Sequence, residues 1–244
     1  MRHTVCLCGF LVLTLPAAAQ PLPRFEVASI HRNTNGSLNT NINVSDGGRL
    51  SIVNGSLKTL IRNAYGILSF QLANEPNWID TEMYDIEAKT ATSGKISPDE
   101  FKSLLQTLLA DRFHLKVHWE TRESTVYALL LDKSGPKFTA SLVDEKSGMN
   151  TRKGPDKATM TGTAEPMKDL ASNLGNQLGR FAVDKTGLTG TYDFTFSWDP
   201  QSTADSTGPS LFTALRDQLG LRLESQKGPV QLLVIDNADR PSEN

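Results

Sequence analysis

Leu57-Lys58-Thr59-Leu60-Ile61-Arg62-Asn63-Ala64 decides how the chain is read, because its pattern is met again as Met167-Lys168-Asp169-Leu170-Ala171-Ser172-Asn173-Leu174, 110 positions later. Apolar residues at 57, 60, 61 and 64, continued by Tyr65, form one face of a helix, and Gly66 stands where such a helix ends. Phe101, Leu105 and Leu109 return at the same offset as Leu211, Leu215 and Leu219, and Tyr84-Asp85-Ile86 returns at an offset of 108 as Tyr192-Asp193-Phe194. A surface turn absorbs such a two-residue deletion without disturbing buried positions. The pattern predicts an α+β fold built from a duplicated module, each copy a small mixed or antiparallel sheet with two helices on one face.

Around the first helix, residues 25–31 and 49–53 read as strands of a wide hairpin whose tip is the Asn-, Ser- and Gly-rich stretch 32–48. Asn35 and Asn54 open Asn-Gly-Ser sequons, which read as turn and cap chemistry. Residues 84–89 form the next strand. Ser97-Pro98-Asp99-Glu100 is a capping box with proline at the first helical position. Residues 115–121 and 125–131 follow as a hairpin, completing a first module over 20–133. The polar segment 134–157, rich in Gly, Lys, Asp and Ser, is the expected linker. The second module, 158–244, repeats the order with a strand at 159–162, a helix at 166–174, strands at 182–183 and 192–198, a helix at 211–219 ended by Gly220, and a hairpin of 221–225 with 230–235.

The chain starts with a secretory leader over 1–19: Arg2 is cationic, 5–15 is apolar, and Ala17-Ala18-Ala19 is a small-residue cleavage site. Secretion to the periplasm or outside the cell is therefore expected. Cys6 and Cys8 both lie in this leader, so the processed chain has no thiol for a disulfide, a thiolate metal site or a cysteine nucleophile. The whole chain carries a formal charge of −2, from 25 basic and 27 acidic residues, so no basic field for nucleic acid is present.

Catalytic motifs fare poorly. His114 and His118 stand four apart on an expected strand, roughly 13 Å from each other on one face, too far to share a metal ion. Alternation places Leu115, Val117 and Trp119 on the core side and the histidines in solvent. Ser134-Gly135-Pro136-Lys137 and Lys185-Thr186-Gly187 match motifs of penicillin-recognising serine enzymes, but the serine does not open a helix, as that chemistry requires. Gly-x-Ser-x-Gly, Gly-x-x-x-x-Gly-Lys, Gly-x-Gly-x-x-Gly and His-Glu-x-x-His are all missing. No metal ligand set and no cofactor site is expected.

Several segments carry a family resemblance: Phe25-Glu26-Val27-Ala28-Ser29-Ile30, Pro76-Asn77-Trp78-Ile79-Asp80, Leu108-Leu109-Ala110-Asp111-Arg112-Phe113, and the Gly-rich run from Val183-Asp184-Lys185-Thr186-Gly187 to Tyr192-Asp193-Phe194. The chain resembles the secreted "Soli" family of acidobacterial proteins, a domain of unknown function with no catalytic residues to carry over. Some members look like fusions behind a membrane metallopeptidase of the beta-lactam-sensor type. Phe181 departs from the proline that the resemblance implies after Gly179-Arg180. The second half is also similar in topology to the short amino-terminal domain of secretins and TonB-dependent receptors, which are docking modules.

Together these readings predict a secreted, non-catalytic binding or protein-interaction module, whose partner is an envelope protein or peptide that adds a strand to an exposed sheet edge. An envelope hydrolase using carboxylates or a serine, and a sensor domain related to those fused to membrane metallopeptidases, are the competing readings. The candidate binding residues are Trp78 in its loop and Arg180, Asp184 and Lys185 around the Gly-rich turn.

Overall fold

The structure is a computed structural model that describes residues 22–35, 39–91, 94–142, 146–201 and 208–242. The expected leader over 1–19, with Cys6 and Cys8, lies outside them. The fold is α+β. Its first half contains β1 (Phe25–Asn33), β2 (Asn41–Ser45), β3 (Arg49–Ser56), α1 (Leu57–Tyr65), β4 (Leu72–Ala73), β5 (Met83–Thr90), α2 (Pro98–Arg112) and β6 (Lys116–Leu131). An antiparallel outer sheet runs β1-β5-β3-β2.

The wide hairpin expected over 25–53 is therefore corrected, since β5 separates β1 from β3 and the Asn-rich stretch supplies a strand of its own. Asn41-Ile42-Asn43-Val44-Ser45 alternates as a strand does, and Gly47 and Gly48, with φ of 87° and 71°, make the tight turn into β3. The helix signals hold. Ser56 Oγ accepts from the Thr59 amide and Gly66 ends α1 in the left-handed region, at φ 63°. Ser97 and Glu100 form the capping box of α2, with Pro98 at its start.

The second half contains β7 (Thr139–Ala140), β8 (Gly148–Lys153), β9 (Ala158–Pro166), α3 (Met167–Leu178), β10 (Ala182–Asp184), β11 (Thr191–Trp198), α4 (Leu211–Ala214), which runs into a π-helical turn at Leu215–Leu219, and β12 (Leu221–Asn237). Its outer sheet runs β7-β11-β9-β8, and all its pairs are antiparallel. Two of these strands, β7 and β8, come from the segment 134–157.

A third sheet, β10-β6-β12-β4, joins the halves. Residues 115–131 and 221–235 do not fold back as hairpins. Each forms one long strand, and the two pair antiparallel with each other from Lys116↔Asn237 to Leu131↔Leu221. Gly228-Pro229, which reads as a turn, lies mid-strand opposite Ser124 and Glu123. There β12 is paired on one side only, since β4 reaches it only at Leu233 and Val234, and a strand with an open edge tolerates a residue that donates no N–H. The sheet order reads the same when the halves are exchanged. β4 follows α1 and lies parallel to β12; β10 follows α3 and lies parallel to β6.

This crossing pair completes two hydrophobic cores. The first gathers Ile30, Leu50, Ile52 and Ile86 of the outer sheet, Leu57, Leu60, Ile61 and Ala64 of α1, Leu105 and Leu109 of α2, and Leu115, Leu233 and Ile235. In the second, Met160, Phe194, Phe196 and Trp198 meet Leu170 and Leu174 of α3, Leu215, Leu219, Leu221 and Leu129. Each long strand thus begins in its own half's core and ends in the other's. Trp119, which the alternation expects to be buried, is 49 % exposed, although its cross-strand partner Leu233 lies in the first core.

One backbone device appears twice. Asn54 and Ala164, 110 positions apart, both have positive φ, 58° and 49°, at register shifts in β3 and β9. The Asn54 amide donates to Asp85 Oδ1 at 2.8 Å, and the Ala164 amide donates to Asp193 Oδ1 at 2.8 Å. Each carboxylate satisfies the N–H that the bulge takes out of the ladder. Among the described residues no helix is long and apolar enough to cross a membrane.

Candidate binding site

The midpoint of the β6–β12 pairing falls at Glu123 and Ser124 opposite Pro229 and Gly228. Loops from both halves meet there. Phe70, in the turn just before β4, and Phe181, just before β10, pack edge to face with ring centroids 5.0 Å apart and planes at 82°. Gly179 ends α3 at φ 63°, a conformation that favours glycine, and turns the chain so that Arg180 and Phe181 project beside the ribbon. The Arg180 amide bonds back to the Gly175 carbonyl, and the Tyr127 amide bonds to the Phe181 carbonyl at 2.8 Å, so this loop is fastened to both α3 and β6. Gly175 is needed for that closeness, because a Cβ there would lie 2.6 Å from the Arg180 carbonyl oxygen.

The result is a cleft of about 470 Å³ lined by Phe70, Phe181 and Leu232, by Ser124 and Thr125, and by the charged side chains of Glu123, Arg180 and Lys227. Lys227 Nζ donates to Thr125 Oγ1 at 3.1 Å. Glu123 and Arg180 make no side-chain hydrogen bond or ion pair among the described residues. The site is thus half apolar and half charged, with both signs present and unneutralised. Clefts where two lobes meet, apolar with a few polar groups, are the usual place for a ligand.

Of the four residues expected from the sequence, Arg180 lies in this cleft and the others lie elsewhere. Asp184 Oδ1 accepts from the Thr186 amide and from its hydroxyl, both at 2.8 Å, so it shapes the Gly-rich turn. The Lys185 amide bonds to the Leu129 carbonyl and its side chain is exposed. Trp78 lies under the Arg240 guanidinium, 5.1 Å from its ring centroid. Arg240 also holds Glu82 with two nitrogens, at 2.7 and 3.0 Å, and Tyr84 Oη donates to the same carboxylate at 3.0 Å. The Arg240 hydrogen bond first, with the Tyr84 hydroxyl adding to it, lowers the Glu82 pKa. Burial, then the Glu82 carboxylate, pushes the Tyr84 phenol up to about 12.

The other motifs are dispersed. Ser134 Oγ donates to Asp132 while Lys137 Nζ donates to the Asp217 carbonyl, so this serine and lysine do not bond each other. His118 bonds Asp236 and His114 pairs with Asp239, both on the surface. Among the described residues, no three His, Cys, Asp or Glu are grouped to hold a metal ion. Glu123 and Lys227 were not legible as site residues, because only the pairing of β6 with β12 brings them together.

A family model described as a protein of unknown function, DUF3738, matches residues 58–238. The chain belongs to the DUF3738 family. The matched span begins in α1 and ends just past β12, so it takes in the second core, the helical part of the first from Lys58 on, and every residue that lines the cleft. No curated protein matches the chain. No solved structure matches it either. The DUF3738 assignment carries no activity, and function has to be argued from the cleft itself.

Proposed function

We propose that this DUF3738 protein is a secreted or periplasmic, non-catalytic binding module that holds its partner, an envelope protein or peptide, in the cleft between its halves. One observation carries the reading: the place where the halves meet presents unneutralised charges of both signs beside an aromatic pair. Leaving such charges unpaired gains nothing for folding, whereas it suits a ligand that completes them. The paired bonds of Asp85 and Asp193 support a duplicated module, with the cleft at its junction. The leader-like 1–19 and the resemblance to the secreted acidobacterial family support the location.

The test is an amide NMR titration of the purified protein with the low-molecular-mass and peptide fraction of the native cell envelope. Shifts confined to residues 123–125, 179–181 and 227 are expected. Shifts elsewhere, or none, would remove the cleft from the proposal.

A further inference from the structure

Arg180, Lys227 and Glu123 border one cleft, which Phe70, Phe181 and Leu232 also line. Arg180, whose guanidinium has no partner among the described residues, presents paired N–H donors that match a carboxylate, and Lys227 keeps two further donors once Thr125 has taken one. An anion alone would also meet Glu123. The cleft is therefore a poor site for a phosphate or a polyanion. A ligand that carries a carboxylate, an ammonium and an apolar group answers all of these surfaces.

We propose that the cleft binds a zwitterionic apolar amino acid or short peptide with both termini free: carboxylate on Arg180 and Lys227, ammonium on Glu123, and side chain on the Phe70–Phe181 pair. This rests on the cleft being the binding site, as above. Its volume of about 470 Å³ is in the range of small-ligand pockets and leaves a bound dipeptide partly open to solvent. The halves contribute unequally. Ser69 precedes Phe70 where Arg180 precedes Phe181, so only one side of the junction carries the guanidinium, and a ligand with unlike ends is held in one direction.

The experiment titrates the purified protein with leucyl-phenylalanine, its carboxyl-terminal amide, its N-acetyl form and free leucine, read by amide NMR. Free dipeptide should shift residues 123–125, 179–181 and 227, and each blocked form should bind about tenfold more weakly, the scale of one charge-assisted hydrogen bond. Arg180→Gln should abolish the preference for free acid over amide and keep the preference for free amine; Glu123→Gln should do the reverse. Both positions are exposed, and the spectrum itself reports that each variant is folded. Leucine binding as tightly as the dipeptide identifies a free amino acid as the ligand; weaker leucine binding identifies a peptide. Blocked forms that bind equally well, or preferences unchanged in the variants, overturn the proposal. If the envelope fraction shifts the cleft and none of these probes does, the ligand class falls and the cleft stands. If neither does, both fall.

Discussion

Asp85 and Asp193 do the same work in the two halves, each accepting through Oδ1 the amide of a residue at positive φ, Asn54 and Ala164 respectively, at 2.8 Å. Each also takes a second donor on the same oxygen, Asn33 Nδ2 at 2.7 Å and Ser141 Oγ at 2.6 Å. Asp85→Ala leaves the bulged amide unsatisfied inside the sheet and should destabilise the fold by about 1–3 kcal/mol in urea unfolding. Asp85→Asn keeps an acceptor oxygen and should recover most of the loss.

Ala164 holds φ 49° with a side chain that disfavours it, whereas Asn54, 110 positions earlier and also at positive φ, is of a type that tolerates such backbone. Ala164→Gly removes a strain of about 1–2 kcal/mol. It adds roughly 0.5–1 kcal/mol of backbone entropy to the unfolded chain. A small net gain is expected, read as a higher urea midpoint with an unchanged slope; a loss would mean that the Ala164 methyl, 5 % exposed, packs better than the strain costs.

Glu82 and Arg240 give the fold an acid-sensitive clasp. The folded Glu82 pKa lies below the ordinary value, so its contribution is fully present above the unfolded carboxylate value, about 4.3, and is lost as pH falls through the folded one. Arg240→Ala should therefore lower stability at pH 7 and match the parent protein once pH has fallen through the folded Glu82 value. The effect is small, since Arg240 is 58 % exposed. Trp78 fluorescence should report the loosened tail, because the same guanidinium covers its ring.

Tyr84 makes the complementary alkaline prediction. Its phenol is pushed up to about 12, by burial first, so its absorbance change should come late in a pH titration, above the ordinary phenol value near 10. The sign is that of a raised folded pKa: the stabilisation is complete below the unfolded value near 10 and disappears as pH climbs through the folded one. Tyr84→Phe should remove this late step.

Local signals made the helices readable. Ser56 with Gly66, and Ser97 with Glu100, announce their ends chemically, and the structure uses each in that way. The central sheet was hidden for a physical reason. Thr121-Arg122-Glu123-Ser124 is polar on both faces because the ribbon there bridges two cores, and a polar break between apolar runs is also how a hairpin turn looks. Its partner strand lies more than a hundred residues away, so no local pattern announces the pairing. Arg180 stood out only as a residue near the Gly-rich turn, and Glu123 and Lys227 become neighbours of Arg180 only through that distant pairing.

The crossing strands also predict how the chain tolerates division. Leu233 and Ile235, 0 % and 2 % exposed, belong to the second half yet fill the first core, while Leu129, 0 % exposed, fills the second core from the first half. Residues 22–133 alone would expose apolar surface where two fully buried aliphatic side chains belong, a loss of about 1.5–3 kcal/mol for each. The long strand β6 would also lose its main pairing partner. Neither 22–133 nor 134–242 should unfold cooperatively by itself. Mixed in equal amounts, they should regain a single denaturation transition, with a midpoint that rises with concentration as mass action requires. Cooperative unfolding of either piece alone would show that its own helices and outer sheet suffice, and that the shared ribbon joins the halves without being needed to fold them.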